Sequence, residues 1–260
     1  LSDNGSTDSS TQIAKKLGAK IIVSKDKGYG VAVQNGIKFS KGKYILIADA
    51  DDSYNFEDIG IFYYKIKEGY DLVQGCRLPS GGGIIEKGAM PKSHRYIGNP
   101  LFSLLGKIFY SLPFNDVYCG MKILRKDFFE NINFFSKGMV FCIEILIKSV
   151  VKNAKVGEVS ITLYKDSRKN SKSHLKTIAD GLLSLKFILI CCPKWIYFIP
   201  STFFLFISIL IIIVNFNENE FYNSVLSGLL LLYLSFQFFI LGLFSSLRAK
   251  KLELYRGDWL

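Results

Sequence analysis

The stretch that decides the fold is YILIADADDSYNFED (residues 44–58), an apolar run that ends in Asp49, Asp51 and Asp52. Residues 44–49 read as a buried strand. An apolar strand normally ends in a single turn residue, because a carboxylate near a buried end is costly unless something compensates it. On an extended chain residues i and i+2 point to the same side, so Asp49 and Asp51 can face one ligand together. Adjacent carboxylates repel unless a cation lies beside them, and oxygen-only ligation with room for phosphate and water suits Mg2+ or Mn2+. Asp52 reads as an exposed turn acid, and Asp52 or Asp58 as the cap of the helix that follows.

Outward from this turn, apolar runs alternate with helical periodicity. Residues 19–24, 71–76 and 156–164 read as further strands, and 9–17, 30–39, 57–68, 99–110 and 139–152 as helices. The alternation predicts an α/β domain with a mostly parallel sheet and helices on both faces. Residues 80–88, SGGGIIEKG, read as a mobile glycine-rich loop. The opening LSDNGSTD reads as a strand end and its turn, so a first strand and helix are expected to be missing.

The 260 residues hold one ordinary soluble domain with a remainder, and the remainder reads as lipid-facing. Neither 195–217 nor 221–247 contains a charged residue, and each exceeds the roughly 20 residues that cross a bilayer. The Ile, Leu, Phe and Val residues of the first stretch favour insertion by about 5 to 9 kcal/mol. Lys186 and Lys194 precede the first stretch, Arg248, Lys250, Lys251 and Arg256 follow the second, and the link between them carries Glu218 and Glu220. That asymmetry predicts a hairpin with the N-terminal region cytoplasmic, in a cell membrane or, in a eukaryote, the endoplasmic reticulum membrane. Gly228 and Gly242 permit close helix packing, a homo-oligomer included. Ahead of the hairpin, Leu175, Ile178, Leu182, Leu185 and Leu189 recur at helical spacing opposite Lys176, Asp180 and Ser184, which predicts a helix lying flat on the membrane. The expected division is a catalytic domain at 1–170, an interfacial helix and linker at 171–194, spans at 195–217 and 221–247, and a tail at 248–260.

The net charge of +11 is spread out and concentrates near the membrane, so it points to anionic lipid or a phosphorylated substrate and away from nucleic acid. Cys76, Cys119, Cys142, Cys191 and Cys192 form no metal-ligand spacing and read as reduced thiols.

Ligands of a parallel sheet gather beyond the carboxyl ends of its strands, where Asp3 and Asp8 join Asp49 and Asp51. SDNGSTD (2–8), ADADDSYNFEDI (48–59), GAMPKSHRYIGNP (88–100) and NDVYCGMK (115–122), in that order, resemble family 2 glycosyltransferases of the GT-A fold. More narrowly the chain is similar to the polyprenyl-phosphate sugar synthases, which include dolichol-phosphate mannose and glucose synthases. The resemblance implies that Asp3 contacts the nucleotide base, with Asn4 where many members carry a second Asp. It implies that Asp49 and Asp51 serve the metal and the donor diphosphate, and that Ser53 stands where mannose synthases often carry Gln. KGYGVAVQNGI (27–37) resembles the turn beside the nucleotide, where Gly28 and Gly30 allow close approach or supply ordinary turn chemistry.

Arg95 and the basic run 165–176, with Arg168 and Lys172, are candidates for the acceptor phosphate or for attraction to anionic lipid. Asp116 aligns with an acid proposed as catalytic base in relatives. A phosphate monoester is already mostly dianionic at pH 7, with a second pKa near ~6. A sugar hydroxyl needs a base and a lipid phosphate hardly does, so Asp116 instead positions the acceptor, holds Arg95 or fills a turn. The implied reaction is inverting transfer of a glucose- or mannose-type sugar from a UDP- or GDP-linked donor to a polyprenyl or dolichyl phosphate. The alternatives are transfer to a glycan or lipid hydroxyl and a non-catalytic membrane scaffold.

Overall fold

The computed structural model describes residues 1–167, 177–192, 195–214 and 221–251. The elements run β1 (Ser2–Asp3), α1 (Ser10–Lys16), β2 (Ile22–Val23), α2 (Tyr29–Phe39), β3 (Tyr44–Ile47), α3 (Ile59–Lys67), β4 (Leu72–Cys76), β5 (Ile84–Ile85) and α4 (Asn99–Tyr110). They continue with β6 (Lys122–Arg125), α5 (Lys126–Glu130), α6 (Phe141–Val151), β7 (Val156–Ser160), β8 (Thr162–Leu163), α7 (Thr177–Cys191), α8 (Trp195–Val214) and α9 (Phe221–Lys251). The chain divides into two compact units, Leu1–Phe187 and Ile188–Leu260.

The first unit is an α/β domain. Its four-stranded sheet has the order β3-β6-β4-β7, with β4 and β7 parallel and β6 antiparallel to both of its neighbours. Three strands thus share a direction and the fourth, β6, runs against them. The sequence pattern missed β6 because KILR is short and begins and ends in charge. Lys122 is nevertheless buried, its Nζ donating to the carbonyls of Cys119 (2.7 Å) and Gly120 (3.3 Å). β4 is buried along its whole length, and Phe62 and Ile66, one turn apart on α3, pack into the core with Val73, Met121, Ile123 and Ile161. Each such side chain contributes about 1.5–3 kcal/mol on leaving water.

Three sequence expectations change. The strand expected at 19–24 is only the two residues of β2, which pairs with β1 alone among the described residues and leaves Val23 exposed. The strand expected at 156–164 is two: β7 pairs with β4, β8 pairs with β5, and the switch falls at buried Ile161. Its N–H donates to the Cys76 carbonyl while its own carbonyl accepts from Ile84. The glycine-rich segment is folded, with a tight turn at Pro79–Gly81 and strand β5. A Cβ at Gly81 would overlap the Cys76 sulfur and one at Gly83 the backbone of Cys76 and Arg77, so these glycines serve close packing.

The second unit contains α8 and α9, two helices long and apolar enough to cross a membrane. They pack antiparallel: Ser201 Oγ donates to the Ser235 carbonyl (2.9 Å) and Ser208 Oγ to that of Gly228 (2.7 Å). A Cβ on Gly228 would lie 2.6 Å from Ile212, and one on Gly242 2.6 Å from Phe198, so both glycines are spent on the hairpin's own seam.

Candidate functional site

Two sets of polar residues gather at the carboxyl ends of the strands. In the first, Asp3 ends β1 and is buried, and its carboxylate accepts from the backbone N–H of Gly5 (2.9 Å) and from the hydroxyl (2.5 Å) and N–H of Ser6 (3.1 Å). The Ser6 hydroxyl, helped by these N–H groups, holds the carboxyl below its usual range against the opposing effect of burial. Asn4 Oδ1 accepts from the Gly28 N–H at 2.8 Å and so ties SDNGSTD to KGYG. Gly28 has φ +139°, and a Cβ there would overlap the Lys137 carbonyl; one on Gly30 would overlap that of Ser136. The close approach these two glycines allow is thus used by the protein's own segment 136–138. Glu144 on α6 fixes that segment by accepting from the N–H of Phe135 (2.9 Å) and Ser136 (2.8 Å), and buried Lys148 pairs with Glu144 at 2.9 Å.

Beyond β3, Asp49 and Asp51 are half-buried. Gly120 is the floor under Asp49: a Cβ there would overlap Asp49 Oδ2, and the Gly120 N–H donates to Tyr54 Oη at 2.9 Å. Asp51 Oδ1 accepts from the hydroxyl (2.5 Å) and N–H (3.2 Å) of Ser53, and the Asp51 carbonyl accepts from the Ser167 N–H. Between them Asp52 is exposed with φ +65°, a conformation that short polar residues tolerate best. The cap of the following turn is Asn55, which accepts from the Glu57 N–H at 3.0 Å; Asp58 makes no capping bond. Among the described residues no group of three His, Cys, Asp or Glu side chains is placed to hold a metal. Two carboxylates on one short turn instead fit an ion that keeps waters and takes substrate phosphate oxygens, as Mg2+ does.

The second set lies at the end of β4. Asp116 is fully buried and receives a two-pronged Arg77 guanidinium, Nε to Oδ2 at 2.7 Å and Nη2 to Oδ1 at 2.9 Å, with the Arg77 N–H on Oδ2 at 3.1 Å. Burial works most strongly against the guanidinium charge, but the charge and hydrogen bonds of Asp116 together with Tyr54 outweigh it, so Arg77 stays protonated. Glu158 on β7 accepts from the N–H of Asn115 (2.8 Å) and Asp116 (3.2 Å), and buried Gln74 donates to the carbonyls of Asp116 and Cys119, both at 3.1 Å. Holding Arg95 was one of several roles the sequence left open for Asp116. The structure pairs it with Arg77, which no motif singled out because GCRL reads as the end of an ordinary strand.

Arg95 sits on a π-helical turn, His94–Gly98, and its buried Nε has no hydrogen-bond partner. Burial first, then the charge of Arg77, hold the His94 imidazole below its ordinary pKa. Burial pushes the thiols of Cys76 and Cys119 up to about 12, so both are inert at neutral pH. Arg168 and Lys172 lie outside the described residues.

Residues 1–132 match the family model described as glycosyl transferase family 2. The low-salt glycan biosynthesis hexosyltransferase Agl6 of Haloferax volcanii is 28% identical over 95% of this chain and 60% of its own length. A dolichyl-phosphate hexose transferase of the same organism is 30% identical over 61% of this chain and 66% of its own length. The chain therefore spans less than two thirds of either relative. Among solved structures, glucosyl-3-phosphoglycerate synthase of Mycobacterium tuberculosis with phosphoglyceric acid superposes with a TM-score of 0.55 at 16% identity, over 72% of this chain and 66% of that one. The same enzyme with Mn2+, uridine diphosphate and glucosyl-3-phosphoglycerate gives the same values, a likeness of fold.

Proposed function

The chain belongs to glycosyl transferase family 2, and from that membership we propose that it transfers a hexose, with inversion, from a UDP- or GDP-linked donor to a polyprenyl or dolichyl phosphate at a membrane. The observation that carries the choice of acceptor is the Arg77–Asp116 fork. Both oxygens of the acid that would serve as general base are engaged by one guanidinium. A hydroxyl acceptor would need that base, whereas a phosphate monoester, with a second pKa near ~6, reaches the site already as a nucleophile. The orphaned Nε of Arg95 is a donor suited to such an anion. The name of the dolichyl-phosphate hexose transferase among the relatives agrees with this reading.

In this reading Asp3 and Asn4 frame the nucleotide, Gly28 and Gly30 seat segment 136–138 beside them, and Asp49 and Asp51 would hold Mg2+ or Mn2+. The ion, when bound, supplies Lewis-acid stabilisation of the leaving group. Arg95, with Arg168 and Lys172 as candidates from the sequence, orients the acceptor phosphate. One of its oxygens bonds to the anomeric carbon, the bond to the diphosphate breaks, and the nucleoside diphosphate leaves with the electron pair. No proton has to be removed. The proposed division is the one expected from the sequence, with α7 as the interfacial helix and α8 and α9 as the two spans.

The test incubates the full chain in detergent with UDP-[14C]glucose or GDP-[14C]mannose, dolichyl or undecaprenyl phosphate, and Mg2+ or Mn2+. Label entering the organic phase only when both lipid phosphate and ion are present is the expected result. Label entering only glycan or lipid hydroxyl acceptors would overturn it. That second reading draws on His94, whose depressed pKa leaves a neutral imidazole beside Arg77 as an alternative base.

A further inference from the structure

Segment NFFSKG, residues 133–138, forms neither helix nor strand, yet two buried side chains of α6 fix its backbone. Glu144, 1% exposed, accepts from the Phe135 N–H through Oε1 (2.9 Å) and from the Ser136 N–H through Oε2 (2.8 Å). Lys148, fully buried one turn on, pairs with Glu144 Oε1 at 2.9 Å, donates to the Asn133 carbonyl and lies over the Phe135 ring at 4.3 Å. The helix reads FCIEILIKSVV, so an apolar pair would serve the core as well. Taking two charges out of water is costly, and well-packed apolar replacements of buried pairs are often neutral or stabilising. What only the charged pair supplies is a fixed direction for the peptide groups of 133–136.

The opposite edge of the segment faces the start of α2. A helix leaves its first N–H groups without intrahelical partners, and a Ser, Thr, Asp or Asn side chain usually takes one of them. The cap of α2 is Gly28, which has no side chain to offer. The Lys137 carbonyl takes that place, accepting from the Val31 N–H at 3.2 Å, while the Ser136 carbonyl accepts from Gln34 Nε2 at 3.1 Å. Lys137 Nζ adds an exposed pair with Asp26 at 2.8 Å, worth little by itself. Glycine at 28 and 30 is the condition for this contact: a Cβ would lie 2.2 Å from the Lys137 carbonyl oxygen and 2.4 Å from that of Ser136. The Gly28 N–H in turn donates to Asn4 Oδ1 at 2.8 Å, one residue beyond Asp3.

We infer that Glu144 and Lys148 are positioning residues for the donor nucleotide. They hold 133–138 as an external cap of α2, and that cap fixes the Gly28 N–H that orients Asn4 beside Asp3. The inference rests on the reading that Asp3 and Asn4 meet the nucleotide. Neither α6 side chain touches the ligand, so the pair acts on donor affinity and leaves the bond-breaking step and the turn at Asp49 and Asp51 alone.

The test uses the full chain in detergent and Glu144→Leu/Lys148→Met, which keeps α6 apolar and close in volume. Amide hydrogen exchange at Val31 should accelerate about tenfold, with the amides of β4 unchanged. KM for the UDP- or GDP-linked sugar that the unsubstituted chain uses should rise about tenfold with kcat within about twofold, the signature of lost binding alone. The Kd of UDP or GDP with Mn2+, by calorimetry, should weaken by the same factor, and the dependence on lipid phosphate should not move. Glu144→Gln/Lys148→Met keeps one acceptor oxygen for the segment and should fall between the two proteins; it carries the same comparison where the first variant fails to fold. A donor KM unchanged in both variants, or a fall in kcat at constant KM, overturns the positioning role. Faster exchange at Val31 with unchanged nucleotide affinity overturns it too and leaves the segment a structural cap. If the unsubstituted chain binds neither UDP nor GDP, the donor reading of Asp3 and Asn4 fails and the positioning role falls with it. That outcome is distinct from a nucleotide that binds equally to the variant and the unsubstituted chain, which overturns the positioning role alone.

Discussion

Two of the molecule's acidic turns solve the problem of a carboxylate in opposite ways. After β3, Asp49 and Asp51 stay half-exposed, and Asp51 Oδ1 is satisfied by Ser53, two residues away. Before β6, Asp116 is sealed from solvent and held through contacts 39 residues distant in sequence, by the Arg77 fork. Local hydroxyls orient a carboxylate without cancelling its charge, whereas a guanidinium cancels it. The first turn is the one proposed to meet a ligand, and the second has spent its charge on the fold.

The largest effect should come from breaking the second turn. Asp116→Ala strands Arg77 in the interior, and losing one partner of a buried pair costs about 3–5 kcal/mol. Urea unfolding of the full chain in detergent measures it, and Arg77→Met/Asp116→Leu should recover most of the loss. If Asp116→Ala costs no more than a surface substitution, the contrast between the turns collapses. Next in size, Asp51→Ala should change stability by less than about 1 kcal/mol. Its transfer rate should fall about 100- to 1,000-fold, the scale of removing one stabiliser of developing charge. EDTA should produce the same loss in the unsubstituted chain and a much smaller further loss in the variant.

Much of this contrast was readable from residues alone, and the unreadable part has a common cause. The acids beyond β3, the helices at 99–110 and 139–152 and the apolar hairpin all announce themselves through local pattern. Arg77 does not, because its role depends on Asp116, and nothing within a few residues of GCRL records that pairing. Lys122 hides β6 for the same reason: its charge is absorbed by the carbonyls of Cys119 and Gly120, so KILR forms a central strand despite its ends. Gly28 and Gly30 signal a close approach but not to what, and the structure answers with the backbone of 136–138.

Gly120 joins the two turns, since it follows Asp116 by four residues and lies under Asp49. Gly120→Ala should push the Asp49 carboxylate aside, with an overpacking cost of about 1–3 kcal/mol. The apparent affinity for Mn2+ in the transfer assay should weaken about tenfold while saturating ion restores most of the rate. Unchanged ion dependence would remove Gly120 from the path between the turns.

The finest distinction concerns where the acid limb of activity comes from. If the acceptor is a phosphate monoester, kcat/KM should fall below a pKa near ~6 because the nucleophile gains a proton. If the acceptor is a hydroxyl, the limb belongs to a base on the protein, and His94, which burial and Arg77 keep neutral at pH 7, is the candidate. Its folded pKa is depressed by burial and by Arg77, so His94 is neutral above its ordinary value and becomes charged only as pH falls through the lower folded value. Protonation beside Arg77 would add like charge, so any stability His94 contributes is present at neutral pH and lost on the acid side. His94→Gln removes that group without removing the acceptor. The expected result is an acid limb at the same pH in the variant and the unsubstituted chain, measured on one lipid phosphate. A limb that disappears in His94→Gln would place a working base on the protein, and the sealed Asp116 turn would no longer decide the acceptor.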